Sequence, residues 1–143
     1  MSVFTEKEIE YLRSQRLGRM ATIGPQGDPH VVPVAFRYNE EKHTIDIGGH
    51  SFAKRRKYRD MQRDPRIAFV VDDVLPPWRP RMIEIRGTVE FGKVGKAINK
   101  NFDDEMVHVH PRRIVSFGID SEERVAGRDV RGAITGRDVV GRQ

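Results

Sequence analysis

Residues 81–91 alternate between apolar and polar side chains, a pattern that fits a β-strand with one face in a core and does not fit an amphipathic helix. The positions that share the core face are Ile83, Ile85, Gly87, Val89 and Phe91. We therefore expect a long strand at this position, and strands dominate the rest of the chain as well.

Five shorter segments also have strand patterns. Residues 17–23 and 30–38 flank the stretch Gly-Pro-Gln-Gly-Asp-Pro at 24–29, whose turn-forming residues predict a β-hairpin. The remaining predicted strands are 44–48, 67–71 and 112–119. Such a small, mostly antiparallel sheet is best closed as a barrel, because closure removes exposed strand edges. The expected fold class is therefore mainly β, with a few short helices between the strands.

Two helices are expected from local signals. Thr5 and Glu8 form a Thr-x-x-Glu capping box ahead of apolar residues at helical spacing, which predicts a helix over residues 5–15. Residues 51–63 also have a helical character, and Ser51 is placed to be the N-cap of that helix.

Three further segments complete the predicted organisation. Residues 93–102 are expected to form a short helix, and residues 74–80 a loop, since they contain three prolines and the only tryptophan, Trp78. Residues 1–120 are expected to form one domain and residues 121–143 a polar tail. The tail contains Gly-Arg-Asp-Val twice and either follows the surface, is disordered, or covers a ligand site.

The composition limits the class of function. The chain has 143 residues and no cysteine, which excludes disulfides, thiolate catalysis and thiolate metal sites and fits a reducing cytoplasm. It contains no apolar run long enough to cross a membrane and no secretory signal, so a cytoplasmic protein is expected. A net charge of +5 favours an anionic partner, namely nucleic acid, an anionic membrane or a phosphorylated small molecule.

The five histidines do not predict a metal site. His108 and His110 would share one face of a strand, but no carboxylate or further histidine has the spacing that would complete a set of ligands. We expect most of the histidines to lie at the surface. The sequence also lacks a Gly-x-Ser-x-Gly motif and a phosphate-binding loop of the Walker type.

The basic stretch 54–63 has three interpretations. It is either a solvated helix face, a surface for nucleic acid, or a site that captures a phosphate at a helix N-terminus with nearby cationic side chains. Trp78 has two interpretations, because it either closes one end of the barrel or provides a rigid aromatic wall for a planar ligand.

Three stretches resemble a known family. They are residues 19–36, which include Gly-Asp-Pro-His-Val-Val-Pro-Val; residues 57–66, which end in Arg-Asp-Pro-Arg; and Ile-Arg-Gly-Thr-Val-Glu at 85–90, followed by His-Pro-Arg-Arg-Ile-Val at 110–115. Their order and spacing are similar to those of the pyridoxamine-phosphate-oxidase-like split-barrel family, in its branch that uses the deazaflavin coenzyme F-420.

The resemblance implies a six-stranded antiparallel Greek-key split barrel, like that of FMN-binding proteins, which forms a homodimer with two cofactor sites at the subunit interface. By this resemblance the cofactor ring lies against strand residues 32–34, the phosphate is held by cations after the third strand, and an aromatic residue lies near the ring. The implied site residues are Val32, Pro33, Val34, Arg55, Lys57, Arg59 and Trp78. Asp60 departs from the pattern, since many relatives have Asn there.

The expected function is that of an oxidoreductase. It would transfer a hydride between an F-420-type deazaflavin, or alternatively FMN, and a small, planar, electron-poor substrate, with the cofactor supplying the chemistry. The proton would come from water, His30 or His50. The other hypotheses are a non-catalytic cofactor carrier on the same fold and a nucleic-acid-binding module that uses the basic stretch. Neither a membrane nor a nucleic acid is the expected partner.

Overall fold

The computed structural model describes residues 2–49, 52–93, 104–119 and 125–130. Helix α1, Glu6–Ser14, confirms the first predicted helix. The Thr5 side chain accepts a hydrogen bond from the backbone N–H of Glu8, and the Glu8 carboxylate accepts one from the backbone N–H of Thr5. Both arms of the predicted capping box are therefore formed.

The first three strands also follow the prediction. They are β1 (Leu17–Ile23), β2 (Pro29–Asn39) and β3 (Thr44–Gly48). Gly27 has a φ of 83° in the turn between β1 and β2, a conformation that favours glycine. The predicted hairpin is confirmed.

The basic segment is not one continuous helix. A single 3-10 turn, Phe52–Lys54, precedes helix α2, which spans Arg56–Arg63. Arg55 is the N-cap residue, and its side chain makes no capping hydrogen bond. The predicted N-cap, Ser51, lies outside the described residues. The prediction that one helix starts at that residue is wrong, since the α-helical turns begin five positions later.

The later strands are longer than predicted. They are β4 (Arg66–Leu75), β5 (Arg79–Lys93) and β6 (Glu105–Phe117). The predicted loop at 74–80 is only a three-residue turn, because residues 74 and 75 pair with residues 80 and 79. Most of the predicted helix at 93–102 lies outside the described residues.

A seventh strand, β7 (Val125–Asp129), lies within the segment predicted as a polar tail. It pairs antiparallel with β6. Arg128 of β7 donates hydrogen bonds to both carboxylate oxygens of Glu8, at 3.0 and 2.6 Å, and to the carbonyl oxygen of Val3. Glu8 is fully buried, so this ion pair fixes the C-terminal strand to the N-terminal helix.

The strands form one antiparallel sheet in the order β3-β2-β1-β4-β5-β6-β7, and a further pairing of β3 with β6 closes six of them into a barrel. This architecture confirms the predicted fold class. The barrel interior contains the buried residues of the alternating segment, Ile83, Ile85 and Val89, together with the aromatic pair Phe36 and Phe69. Neither helix in the described parts of the chain has the length and apolar character needed to span a bilayer.

Candidate functional site

Helix α2 lies against one end of the barrel, and an aromatic cluster fixes it there. The ring of Tyr58 meets the rings of Phe52 and Phe91 edge to face, with centroid distances of 5.3 and 5.1 Å. Met61, one turn further along, is fully buried. Because these apolar residues face the barrel, the cationic residues of the segment are directed outward. Arg55 and Arg59 are exposed.

Lys57 lies at the edge of this cluster in a half-buried position. Its Nζ atom lies 5.8 Å from the centroid of the Phe52 ring. Burial lowers the pKa of Lys57, and repulsion from the neighbouring Arg55 guanidinium lowers it further. A pair of cations that destabilise each other in this way gains free energy when an anion binds between them, so the pair is suited to an anionic group.

Asp60 joins α2 to the β1–β2 hairpin. Its side chain is almost fully buried and accepts hydrogen bonds from Thr22 of β1 at 3.2 Å and from Arg63 of α2 at 3.0 Å. The third partner is Nδ1 of His30 on β2, at 3.1 Å. Burial raises the pKa of Asp60, but the hydrogen bonds from Arg63, His30 and Thr22 outweigh it, and the net pKa is lowered. The carboxylate thus points into the protein and not toward the exposed cations.

His30 is held on both sides, since its Nε2 atom also lies 3.0 Å from Asp28 of the turn. Gly24 makes this arrangement possible, because a Cβ atom there would lie 2.8 Å from both the His30 ring and the Asp28 carboxylate. Both ring nitrogens of this candidate proton donor are therefore engaged with carboxylates. The other candidate, His50, lies outside the described residues.

Strand β2 leaves part of its backbone without a strand partner. Residues 29–35 pair with β1 along one edge, whereas β3 pairs only with residues 36–39. Along the other edge of residues 29–35, the described strands provide no ladder partner. Backbone N–H and C=O groups at such an edge are open to a ligand or to water.

The three residues predicted to face a cofactor ring lie on this stretch of β2. Val34 is buried in the barrel and Val32 packs against the core, so their side chains point inward and only their backbone groups can meet a ligand. Pro33 is exposed on the outer face. His30 brings this stretch into contact with α2 through Asp60.

Trp78 lies far from these residues. It occupies the turn between β4 and β5 and is 75% exposed, so it does not close the barrel as a plug. Phe91, near the other end of β5, is the residue of this strand that contacts α2. The extended strand between Trp78 and Phe91 is about 40 Å long, at about 3.3 Å per residue. Trp78 instead lines a cavity of about 400 Å³ together with Leu75 and Phe117. One planar ring cannot lie against both Trp78 and α2 of the same chain.

The histidines differ from expectation in one respect. His108 is buried and its Nδ1 atom lies 2.6 Å from the buried carboxylate of Asp46, so it is an exception to the expectation that most histidines lie at the surface. His110 is partly buried and lies 3.2 Å from Glu90. Within the described residues, no group of three histidine or carboxylate side chains is placed to hold a metal ion.

Sequence reasoning missed the hydrogen-bonding partners that position α2. Thr22 and Asp60 are 38 residues apart, and neither belongs to a motif that indicates a buried contact between them. The one available signal was the unusual carboxylate within the basic stretch. A single acid between cationic residues is explained by burial against the hairpin.

Comparison with known proteins identifies the family. Residues 4–120 match the sequence profile of the pyridoxamine 5'-phosphate oxidase family. The chain belongs to this family. A curated relative from Streptomyces rimosus subsp. rimosus, 5a,11a-dehydrotetracycline/5a,11a-dehydrooxytetracycline reductase, is 43% identical over 139 residues, which cover 94% of this chain and 98% of the relative.

Solved structures share the fold at low sequence identity. A haem-binding protein from Mycobacterium smegmatis superimposes with a TM-score of 0.65 at 13% identity; the match covers 99% of this chain and 62% of that protein. An FAD-binding protein from the same organism gives a TM-score of 0.58 at 18% identity, covering 79% of this chain and 93% of the other. These neighbours differ in ligand, so they bear on the fold and not on the cofactor.

Proposed function

We propose that this protein is a flavin- or deazaflavin-dependent oxidoreductase that reduces a small, planar, electron-poor substrate. The observation that carries the proposal is that α2 contacts β2 through Asp60 and His30, along the stretch where β2 has an open backbone edge. This helix bears Arg55 at its N-cap and the half-buried Lys57. The 43% identity to a reductase over nearly the full length of both chains supports an oxidoreductase. The name of that relative favours an unsaturated polycyclic compound as the substrate class.

The described residues fit a phosphorylated flavin-type cofactor. Arg55 and Lys57 would hold its phosphate, with Arg59 one turn further along α2. Backbone groups of Val32, Pro33 and Val34 would meet the ring at the open edge of β2. When bound, the cofactor supplies the hydride, and the protein contributes binding, orientation and exclusion of water.

The preferred cofactor is the deazaflavin F-420, with FMN as the alternative. The cationic residues near α2 outnumber those that one terminal phosphate requires. Lys54, Arg56 and Arg59 are all exposed around the Arg55–Lys57 pair. A phosphodiester followed by an acidic tail would use more of this positive charge than FMN does.

A homodimer is part of the proposal, because the outer face of β1 and β2 exposes several apolar residues on either side of Arg19. Leu17 is 55% exposed and Val31 is 68% exposed, and Ala21 and Pro33 lie on the same face. Adjacent exposed apolar residues of this kind mark an interaction surface. A second copy packed there would bury them, and Val31→Asp should then produce a monomer in sedimentation analysis while the far-ultraviolet circular dichroism is retained.

A dimer also accounts for Trp78. Since it lies at the opposite end of β5 from α2, it can cover the ring bound at α2 only if it comes from the second copy. We therefore assign Trp78 to the site of the partner. The substitution Val31→Asp should weaken cofactor binding together with dimer formation, whereas binding that survives in the monomer would contradict a shared site.

The test of the proposed function is a titration of the purified protein with F-420 and with FMN, followed through the fluorescence of the one tryptophan. Removal of one charged phosphate contact in Lys57→Ala should weaken binding by about 10- to 100-fold. Arg13→Ala serves as the matched control, because it removes an exposed cation of α1 that pairs with Glu40. Equal affinities of Lys57→Ala and the unaltered protein would refute the phosphate assignment.

The titration also has a pH signature. Because the pKa of Lys57 is lowered in the free protein, the side chain loses its charge at a lower pH than an ordinary lysine does. Cofactor affinity should therefore fall as the pH rises through that lowered value, and this fall should be absent in Lys57→Ala.

Binding without turnover of any unsaturated polycyclic substrate would indicate the carrier function on the same fold. A cytoplasmic location remains a prediction from the absence of cysteine.

A further inference from the structure

The Arg81 side chain, near the start of β5, is held by a neighbouring strand and by helix α1. Its Nε atom donates a hydrogen bond to Oδ1 of Asp73 on β4 at 3.0 Å, and its Nη2 atom donates one to Oδ2 at 2.6 Å. The Cζ atom lies over the ring of Tyr11 from α1, 4.8 Å from the centroid. The Tyr11 hydroxyl donates to the same carboxylate at 2.8 Å. The guanidinium therefore has a fixed position and orientation.

One nitrogen of this guanidinium is left for a further partner. Nε and Nη2 are bound to Asp73, whereas Nη1 makes no hydrogen bond to any residue that the structure describes. Among those same residues, no buried side-chain nitrogen or oxygen lacks a hydrogen-bond partner. Nη1 is therefore accessible from outside the protein, and its two N–H groups are available to a ligand.

Arg81 lines the cavity of about 400 Å³ that contains Trp78, and we call it the Trp78 cavity. Its volume lies within the range of small-molecule sites, about 300–1,000 Å³. Apolar side chains form most of the remaining wall, namely those of Leu75, Pro80 and Phe117. Aromatic rings bind flat ligands by stacking or by edge-to-face contact. The cavity thus combines walls suited to a planar ring with a charged hydrogen-bond donor.

The charges of the Trp78 cavity favour a negatively charged oxygen on such a ring. Of the described residues that line it, two are charged, and both are arginines, Arg79 and Arg81. Asp73 binds another edge of the Arg81 guanidinium, so it is not in the way of a ligand at Nη1. Arg81 and Gly118 also line a neighbouring cavity beside α1, which places the guanidinium at the junction of the two.

We propose that the Trp78 cavity binds the substrate, with a planar ring system against Trp78 and with Nη1 of Arg81 donating a hydrogen bond to an anionic oxygen on that ring system. This inference rests on the proposed function for the reaction and adds the substrate class, a planar ring compound that carries a carboxylate, phenolate or enolate. Asp73 and Tyr11 are positioning residues, since they fix the guanidinium. Because Trp78 is assigned to the site of the partner, the substrate would lie beside the cofactor ring held there.

The direct test is a titration of the full chain without any flavin, using 2-naphthoate as a planar anion and 2-naphthamide as an uncharged probe of the same shape. The chain has one tryptophan, so its indole N–H gives a single NMR signal that reports on the Trp78 cavity. A saturable shift of this signal is expected with 2-naphthoate, together with an affinity about tenfold higher than that of 2-naphthamide. The absence of a saturable shift, or equal affinities for the two probes, would overturn the proposal.

Arg81→Lys separates recognition of the anion from support of the fold. Lysine keeps a positive charge near Asp73, but it lacks the planar fork that binds Asp73 and a ligand at the same time. The tenfold preference for 2-naphthoate should disappear, while the affinity for 2-naphthamide should change little. Arg86→Lys is the matched control, since Arg86 is an exposed residue of β5 that pairs with Glu84, and it should keep the preference. A preference retained in Arg81→Lys would contradict the role of Arg81.

A second variant keeps the test independent of any damage caused by replacing Arg81. Trp78→Ala alters an exposed side chain, so the fold should be retained, and calorimetry should show weaker binding of both probes with the preference for 2-naphthoate kept. Unchanged affinities in Trp78→Ala would refute the position of the ring. Since no flavin is present, failure of these titrations would leave the proposed cofactor site untouched. Failure of F-420 and FMN to bind would instead remove the proposed function and leave the anion-binding cavity in place.

Discussion

Replacement of Asp60 by alanine should produce one of the largest losses of stability available in this chain. The carboxylate is 1% exposed and connects α2 to both strands of the β1–β2 hairpin. Its loss leaves the buried hydroxyl of Thr22 and the half-buried imidazole of His30 without their shared acceptor. Arg63 loses its partner as well, at a more exposed position.

The magnitude follows from the type of contact removed. Leaving a buried polar group without its hydrogen-bond partner costs about 1–3 kcal/mol, and Asp60→Ala does this to Thr22 and, at a half-buried position, to His30, so a total of about 2–5 kcal/mol is expected. Asp60→Asn keeps an acceptor of the same shape but removes the charge, so its cost should be about 1–2 kcal/mol. Asp64→Asn is the matched control, since Asp64 lies on the exposed side at the end of α2 and pairs with Arg66, and its cost should stay below about 1 kcal/mol.

Urea unfolding followed by circular dichroism measures these differences in the free energy of unfolding. The pH dependence adds a second criterion. Because the pKa of Asp60 is lowered in the folded state, its contribution is fully present above the pKa of an unfolded aspartate, about 3.9, and is lost as the pH falls through the lower folded value. The difference between the unaltered protein and Asp60→Asn should therefore shrink in acid. A cost of less than 1 kcal/mol for Asp60→Ala, or a difference that does not change with pH, would refute the reasoning.

Two further predictions concern the sheet. Arg128→Ala should lower the free energy of unfolding in urea by about 3 kcal/mol, because it leaves the buried carboxylate of Glu8 without its cation. Arg113→Ala is the control: it breaks an exposed ion pair between β6 and β7 and should cost less than about 1 kcal/mol. Gly87→Ala should lower the melting temperature, because its Cβ atom would lie 2.2 Å from a backbone carbonyl oxygen of β6. Overpacking of this kind costs about 1–3 kcal/mol. Gly49→Ala is the control and should have little effect, since its nearest Cβ contact would be 3.6 Å.

Local signals in the sequence predicted the elements whose causes are local. The capping box at Thr5 and Glu8 lies within one turn of helix, and the β1–β2 turn is set by its own glycine and prolines. The end of β4 was placed too early because Asp72 and Asp73 looked like a polar terminus. Asp73 is tolerated within the strand because Tyr11 and Arg81 bind its carboxylate. The contact with Tyr11 spans 62 residues of sequence and is not visible in a local pattern.

Contacts between residues far apart in sequence also explain why the start of β6 was predicted too late and why β7 was not predicted. Residues 106–109 are all buried, since β6 pairs with β3 and β5 in this region, so they show no alternation that would mark a strand. Strand β7 pairs with β6, and its Arg128 binds Glu8, which is 120 residues away in sequence and gives no local signal. For the candidate site, the density of charge predicted the cations of α2, whereas the contact with Asp60 that places them depends on tertiary packing.

The open backbone edge of β2 lies on the strand that α2, the helix with the cations, contacts. Strand β3 is only five residues long, so it pairs with β2 from residue 36 onward and with β6, and the first half of β2 keeps one unpaired edge. Backbone groups at such an edge are open to a ligand or to water, and α2 contacts this stretch through Asp60 and His30. Because α2 turns its apolar residues toward the barrel end, its cations are directed outward on the helix that contacts β2. A ligand with a ring that bonds to backbone and a phosphate that bonds to cations would satisfy both features at once, so in the proposed function the short third strand determines where the cofactor would bind.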